Sequence, residues 1–296
     1  LVLPVNKCKR SNMADLPLWT EFDCPTPLSV TPYYPTGAIE TGHNEVLVKS
    51  SDGRGGSSLA LVRLLSTGSI VKEFIERPVF SFNPCTCSGV CYGGEVYIYN
   101  NYRLDTLHIL DLATHTWRSV STTLKTHMGN TFGGSRNLTR LLCDETSILI
   151  VGQGYVEAGN GWAEVRGVWR YDPETEVMEC VSSHTDESRQ PDMDGAFIVD
   201  GSPHIVAGIS VFSHSMDSTP TGGWIQAPET ECFETGVHTY ILPVTFSGMV
   251  GKCFMYGPVL PTLSDLSLLC AWDTISHEWG VWGETEDYAA VLFSPP

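Results

Sequence analysis

The chain has 296 residues, 42% of them hydrophobic, and carries a formal net charge of −17. This length is enough to bury a sizeable core, and no apolar run reaches 18 residues, so we expect no membrane-spanning helix. The negative charge repels phosphate groups. We therefore expect binding neither to nucleic acids nor to anionic membranes.

A unit of two apolar strands recurs along the chain. Each copy begins with a small or polar residue and an apolar strand, followed by a short turn and a second apolar strand. Five copies align, and they start at Thr36, Ser88, Thr139, Asp194 and Ser247, with spacings of 52, 51, 55 and 53 residues. A repeat of this length is typical of architectures in which one supersecondary unit stacks on the next.

The second half of each unit predicts a hairpin with a polar turn. Asp111 to Trp117 (DLATHTW) shows the pattern best, and similar segments begin at Asp172, Ala227 and Asp273. Asp and Thr side chains can hydrogen-bond the turn backbone, which tightens such a hairpin. The large residue that ends the segment, as at Trp117 and Trp279, is expected to pack between neighbouring sheets.

These units resemble the Kelch repeat, whose four-stranded blades have a Gly pair after the second strand, a Tyr in the third strand and a Trp in the fourth. The hairpin is matched well, whereas the Gly pair is matched only in part, at Gly152-Gln153-Gly154, Ala207-Gly208 and Tyr256-Gly257. The resemblance covers about residues 36–282. It implies an all-β, Kelch-like β-propeller in which residues 1–296 form a single domain.

The residues outside the five repeats are sufficient for about one more blade. Tyr288 to Phe293 has the pattern of an inner strand, and Leu16 to Phe22 that of an outer strand with Trp19 in the packing position. A blade shared between the N- and C-termini closes the ring and leaves no open sheet edge. We therefore predict six blades, with five and seven as alternatives.

The connections of such a propeller emerge on two faces. Second-to-third turns and the connections between sheets share one, here called the long-loop face, and the first-to-second and third-to-fourth turns share the short-turn face. The predicted long connections all fall on the long-loop face: residues 50–58, 75–87, 119–137, 152–167, 184–193, 209–223 and 234–240. Long loops in a compact domain are usually functional or disordered.

The long-loop face is the predicted binding surface for a protein partner. Tyr, Trp and Arg are the usual anchors of such interfaces, although each one could instead pack its own loop. The candidate binding residues are Arg54, Tyr102, Arg103, His127, Arg136, Tyr155, Trp162 and His214, with Trp224 at the margin and His184 and Arg189 in the same loops.

The sequence gives no positive sign of metal or cofactor chemistry. The run Cys85-Thr86-Cys87, followed by Cys91, lacks the ligand spacing of a zinc site, and a disulfide among these residues stays open. Most of the ten cysteines lie singly in apolar runs, where a free thiol behaves as a small hydrophobe. This favours a cytoplasmic or nuclear protein, while the sequon at Asn137 leaves secretion as the alternative.

Two functions remain open. The first is a non-enzymatic module that binds a protein through the long-loop face. The second is an enzyme or small-molecule-binding protein with its pocket at the mouth of the central channel on the same face, its catalytic residues unassigned. No nucleophile elbow and no phosphate loop occurs in the sequence, and we therefore favour the binding module.

Overall fold

A computed structural model describes the chain in segments that together cover five repeats. The described residues are 39–42, 45–51, 57–67, 70–76, 80, 87–100, 103–128, 138–144, 146–158, 161–186, 193, 195–199, 201–207, 210–214, 224–226, 242–244, 252–258, 267–273 and 278–285. The segments from 242 onward are described in their backbone only.

The described residues form twenty strands and one short helix. The first sheet contains β1 (Ile39–Gly42), β2 (Glu45–Ser51), β3 (Ser57–Leu64) and β4 (Ile70–Ile75). The second contains β5 (Cys87–Tyr92), β6 (Glu95–Asn100), β7 (Arg103–Asp111) and β8 (Thr116–Ser121), and is followed by the helix α1 (Leu124–Met128). The third contains β9 (Leu138–Cys143), β10 (Ile148–Ala158), β11 (Gly161–Asp172) and β12 (Val177–Asp186).

Two further sheets follow in the chain. The fourth contains β13 (Gly195–Val199), β14 (Ser202–Ala207), β15 (Ser210–Ser213) and β16 (Ile225–Gln226). The fifth contains β17 (Leu242–Val244), β18 (Lys252–Pro258), β19 (Ser267–Asp273) and β20 (Glu278–Thr285). In every sheet each strand pairs only with its sequence neighbours, as an antiparallel meander.

The five sheets are arranged as the blades of a β-propeller. The first strands contact one another in chain order, from β1 to β5, β9, β13 and β17, and so line a common axis. The predicted all-β propeller is therefore confirmed. The segments predicted to close the ring as a sixth blade, residues 16–22 and 288–293, lie outside the described residues.

Apolar side chains fill the spaces between neighbouring sheets. Leu47 and Leu61 of the first sheet pack with Ile98 and Leu110 of the second. A second cluster joins the second and third sheets and holds the largest buried side chains, among them Tyr97, Tyr99, Trp169 and Tyr171. A third cluster joins the third and fourth sheets through Leu149, Val168, Ile205 and Phe212.

The polar hairpin turns have the geometry that the sequence predicts. The Asp111 carboxylate accepts hydrogen bonds from the backbone N–H groups of Ala113 (2.8 Å) and Thr114 (2.9 Å). Asp172 accepts from the N–H of Glu174 (2.9 Å) in the same way. In each turn the residue four positions after the Asp, His115 or Glu176, lies in the left-handed region, with φ of 55° and 56°.

The predicted packing residue Trp117 lies at the junction of the first two sheets. It is half-buried, its ring meets that of Phe80 edge-on at 5.4 Å, and its Nε1–H donates to the Glu76 carbonyl at 3.2 Å. The side chain of Trp279 lies outside the described part of the structure. No helix in the described residues has the length and apolarity to cross a membrane.

Several predicted segments differ from the structure. Of residues 152–167, predicted as a long loop, 152–158 belong to β10 and 161–167 to β11. The predicted loops 119–137 and 184–193 contain α1 and the end of β12. In the fourth sheet β15 is Ser210–Ser213 and β16 is Ile225–Gln226, so the connection between them joins the third and fourth strands and not the second and third. In the fifth sheet the first strand is Leu242–Val244, which precedes the predicted start at Ser247.

Candidate functional site

The third sheet extends further toward the long-loop face than its own first strand. The pairing of β9 with β10 ends where Leu138 meets Gln153, whereas β10 and β11 remain paired as far as Ala158 and Gly161. Residues 154–158 and 161–165 thus form a projection past β9, here called the ribbon. β12 pairs with its base as far as Glu164 opposite Asp186, so the two-stranded part is residues 156–158 and 161–163. At about 3.4 Å per residue the ribbon extends roughly 17 Å past the end of β9.

The ribbon presents apolar and charged groups near its tip. Glu157 and Gly161 are exposed, and Tyr155 and Val156 are half-buried. Trp162 lies directly opposite Glu157 in the register. A partly exposed Tyr beside a charged residue at the end of a projecting hairpin is a suitable contact for another protein.

A buried polar network lies at the base of the ribbon. Glu164 Oε1 accepts hydrogen bonds from Gln153 Nε2 (3.1 Å) and from Arg166 Nη2 (3.2 Å). Gln153 Oε1 in turn accepts from the backbone N–H of Met193 (2.8 Å), just before the fourth sheet begins. Only 1% of Gln153, 4% of Glu164 and 5% of Arg166 is exposed.

The buried ion pair in this network is sensitive to the loss of either partner. A buried ion pair loses much of its attraction to the cost of removing both charges from water, and breaking one partner away is strongly destabilising. The Arg166–Glu164 pair lies within β11. The bonds that join β11 to other segments are those of Gln153, to Glu164 and to Met193.

A second polar contact joins the third and fourth sheets, between β12 and the residue that follows β15. The Ser182 hydroxyl on β12 and the His214 imidazole Nε2 form a buried hydrogen bond. The His214 ring also meets the ring of Trp224 edge-on at 5.0 Å. His214 is therefore a buried residue of this junction, since only 1% of it is exposed.

The helix α1 packs against the face of the third sheet that is turned toward the second sheet. Leu124 and Met128 are fully buried in the cluster between the second and third sheets. Gly152 leaves space there, because a Cβ at this position would lie 2.5 Å from Met128 Sδ and 3.0 Å from the Trp169 ring. The ribbon base is thus packed by a helix on one face and by polar contacts on the other.

The structure brings four of the predicted binding residues to the third and fourth sheets and leaves another two on the second sheet and α1. Tyr155 and Trp162 belong to the ribbon, His214 directly follows β15, and Trp224 directly precedes β16. Arg103 is exposed at the start of β7, and the backbone of His127 lies in α1. The backbone of His184 belongs to β12. The remaining predicted residues lie outside the described part of the chain: Arg54, Tyr102, Arg136 and Arg189.

Sequence reasoning missed Gln153, Glu164 and Arg166. Polar residues between glycines were interpreted as loop residues, although they alternate with Gly154 and Val165 in the period-two pattern of a strand. That alternation was the available signal.

Two side chains of the second sheet, Cys91 and His108, have shifted pKa values. Burial, then the nearby Cys143, raises the pKa of the Cys91 thiol to about 11, so the thiol stays protonated at neutral pH and is a poor nucleophile. Burial, followed by the charge of Arg103, lowers the pKa of His108, which stacks on Phe80 at 3.8 Å. Among the described residues no cluster of His, Cys, Asp and Glu has the geometry of a metal site.

Comparison with known proteins gives similarity to solved structures alone. No protein-family model and no curated protein matches the chain. Among solved structures, that of YjhT is 14% identical in sequence, with a TM-score of 0.41. The match covers 67% of this chain and 65% of the YjhT chain. An oligogalacturonate lyase in complex with manganese is 8% identical with a TM-score of 0.43, covering 82% of this chain and 62% of its own.

A third solved structure is the WD40 domain of SCAP from fission yeast. It is 13% identical with a TM-score of 0.39, and covers 87% of this chain and 55% of its own. This chain therefore spans less than two thirds of the length of each of the three. The assignment of the fold rests on the sheets and on the contacts between their first strands.

Proposed function

We propose that this protein is a non-enzymatic interaction module that binds a protein partner through the long-loop face, with the ribbon as a principal contact. The observation that carries the proposal is the ribbon itself, which projects past β9 and presents Tyr155, Val156 and Glu157 near its tip. A propeller scaffold holds such a projection rigidly, so little conformational entropy is lost on binding.

The proposed architecture around this surface is a Kelch-like propeller of six blades closed by both termini. The five described meanders and the Asp-based hairpin turns support the Kelch-like blade. The acidic charge of −17 favours a partner that carries some positive charge and disfavours nucleic acid and anionic membranes.

The proposed compartment is the cytoplasm or nucleus. Among the described side chains, Cys91, Cys143 and Cys180 have no disulfide bond. Thiol titration of the denatured, unreduced protein is expected to find most of the ten cysteines free. Four or five disulfides would instead place the protein in a secretory setting.

Site-specific photo-crosslinking in cells tests the proposed surface. A photoreactive amino acid at Glu157, on the ribbon, is expected to capture a defined protein. The matched control places the same amino acid at Thr114, exposed in a hairpin on the short-turn face, and is expected to capture none. Capture of the partner from position 114 but not from position 157 would show that the opposite face binds.

A further inference from the structure

The side-chain amide of Gln153 bonds both to the base of the ribbon and to the chain segment that leads into the fourth sheet. Its Nε2 donates to Glu164 on β11, and its Oε1 accepts from the N–H of Met193. Met193 is itself buried, at 1% exposed, in the apolar cluster between the third and fourth sheets.

We infer that Gln153 is a positioning residue that holds the ribbon in one orientation relative to the fourth sheet. The value of that orientation for partner binding rests on the proposed function, whereas the positioning itself does not. Both hydrogen bonds must be made by one group that donates and accepts at the same time, and the amide does this without carrying charge.

The surroundings of Gln153 make a substitute difficult. A leucine would leave the Met193 N–H buried and without this acceptor, and would remove one of the donors to the Glu164 carboxylate. A carboxylate would fail too, because it accepts but cannot donate, and it would stand against the charge of Glu164. A protonated carboxyl group has both functions, since its carbonyl accepts and its hydroxyl donates.

This difference gives a test in which a carboxyl group, protonated as the pH falls, takes the place of the amide. Amide hydrogen exchange in the ribbon is measured for the wild-type protein, Gln153→Leu and Gln153→Glu between pH 8 and pH 5, after correction for intrinsic exchange. Gln153→Leu is expected to exchange at least tenfold faster in the ribbon at every pH. Gln153→Glu is expected to match it at pH 8 and to regain protection toward pH 5, because neighbouring carboxyl groups share a proton as the pH falls.

Two controls isolate the positioning role. Glu157→Gln changes an exposed ribbon carboxylate and is expected to leave ribbon exchange unchanged, while strands β6 and β7 of the second sheet report on global stability in every variant. Unchanged ribbon exchange in both Gln153 variants would overturn the inference, as would equal acceleration in the ribbon and the second sheet. Failure of the crosslink from position 157 would refute the proposed function and leave this result standing.

Discussion

Replacing Gly167 by alanine tests the packing of β11 against its neighbours. A Cβ at this position would lie 2.7 Å from the backbone oxygen of Ser182 and 2.8 Å from Cη2 of the buried Trp169 ring. An ordinary contact of this kind is at least 3.4 Å, so β12 and the Trp169 ring must both move. Neither the backbone of β12 nor the buried Trp169 ring is the flexible end of a side chain, so neither can move away at little cost.

The expected cost follows from these contacts. Overpacking a core by one methyl group costs about 1 to 3 kcal/mol of unfolding free energy. Because the new Cβ of Gly167→Ala meets backbone, which cannot rotate away, we expect a cost in the upper part of this range, about 2 to 3 kcal/mol. For a chain of this length 1 kcal/mol corresponds to about 2 °C in Tm. We therefore expect Tm to fall by about 4 to 6 °C.

Gly161→Ala in the same strand is the matched control. A Cβ at Gly161 meets nothing within 4 Å, and its φ lies outside the left-handed region. Alanine there is expected to be neutral or stabilising by up to about 1 kcal/mol, because it reduces the freedom of the unfolded chain. Urea titration and thermal melting measure both variants, and equal stabilities for the two would refute the packing of β11 described above.

Two further predictions concern the first strands and the turns. Ser88→Ala removes the buried Oγ that accepts from the N–H of Leu141 at 2.9 Å between the second and third sheets, and should cost about 1 to 3 kcal/mol in a urea titration; a neutral result would show that this contact is replaced by water. At Asp144 burial raises the pKa, but donation from the N–H groups of Thr146 and Ser147 outweighs it and the net pKa is lowered. The stability that this carboxylate adds is present above its unfolded pKa and is lost as pH falls through the lower folded value. Asp144→Asn should therefore show a shallower loss of stability below about pH 4 than the wild type, and identical acid titrations would contradict this.

The sequence predicted the repeating meander because its signals are local. The Asp111 and Asp172 turns depend on contacts within four residues, and their residue types alone determine the hydrogen bonds. The placement of Trp117 followed from the same register.

Features that depend on partners distant in the chain were not predictable in this way. The glycines around Gln153 suggested a loop, whereas Gly152 and Gly167 are small because Trp169 and α1 occupy the space beside them. The contact of Gln153 with Met193 spans 40 residues.

Strand boundaries in the last two sheets were also ambiguous. The strand Ser210–Ser213 has only four residues, which is too short for periodicity to reveal. Residues 209–223 were therefore predicted as one connection on the long-loop face. In the fifth sheet the prediction followed the small residue and Gly that begin other copies of the repeat, here Ser247-Gly248, and placed the first strand at Met249-Val250. The strand that pairs with β18 is Leu242–Val244, and it contains Pro243, a residue that is unfavourable in strands.

The central claim is that the ribbon on the long-loop face binds the partner. The most direct measurement is the Kd of the crosslinked partner, determined with purified proteins, for Tyr155→Ala and for Thr114→Ala at unchanged Tm. We expect Tyr155→Ala to weaken binding at least tenfold, as is typical of an anchor residue that contributes about 1.4 kcal/mol or more. Thr114→Ala should stay within twofold of the wild type. Tenfold weaker binding by Thr114→Ala, with Tyr155→Ala unchanged, would contradict the account.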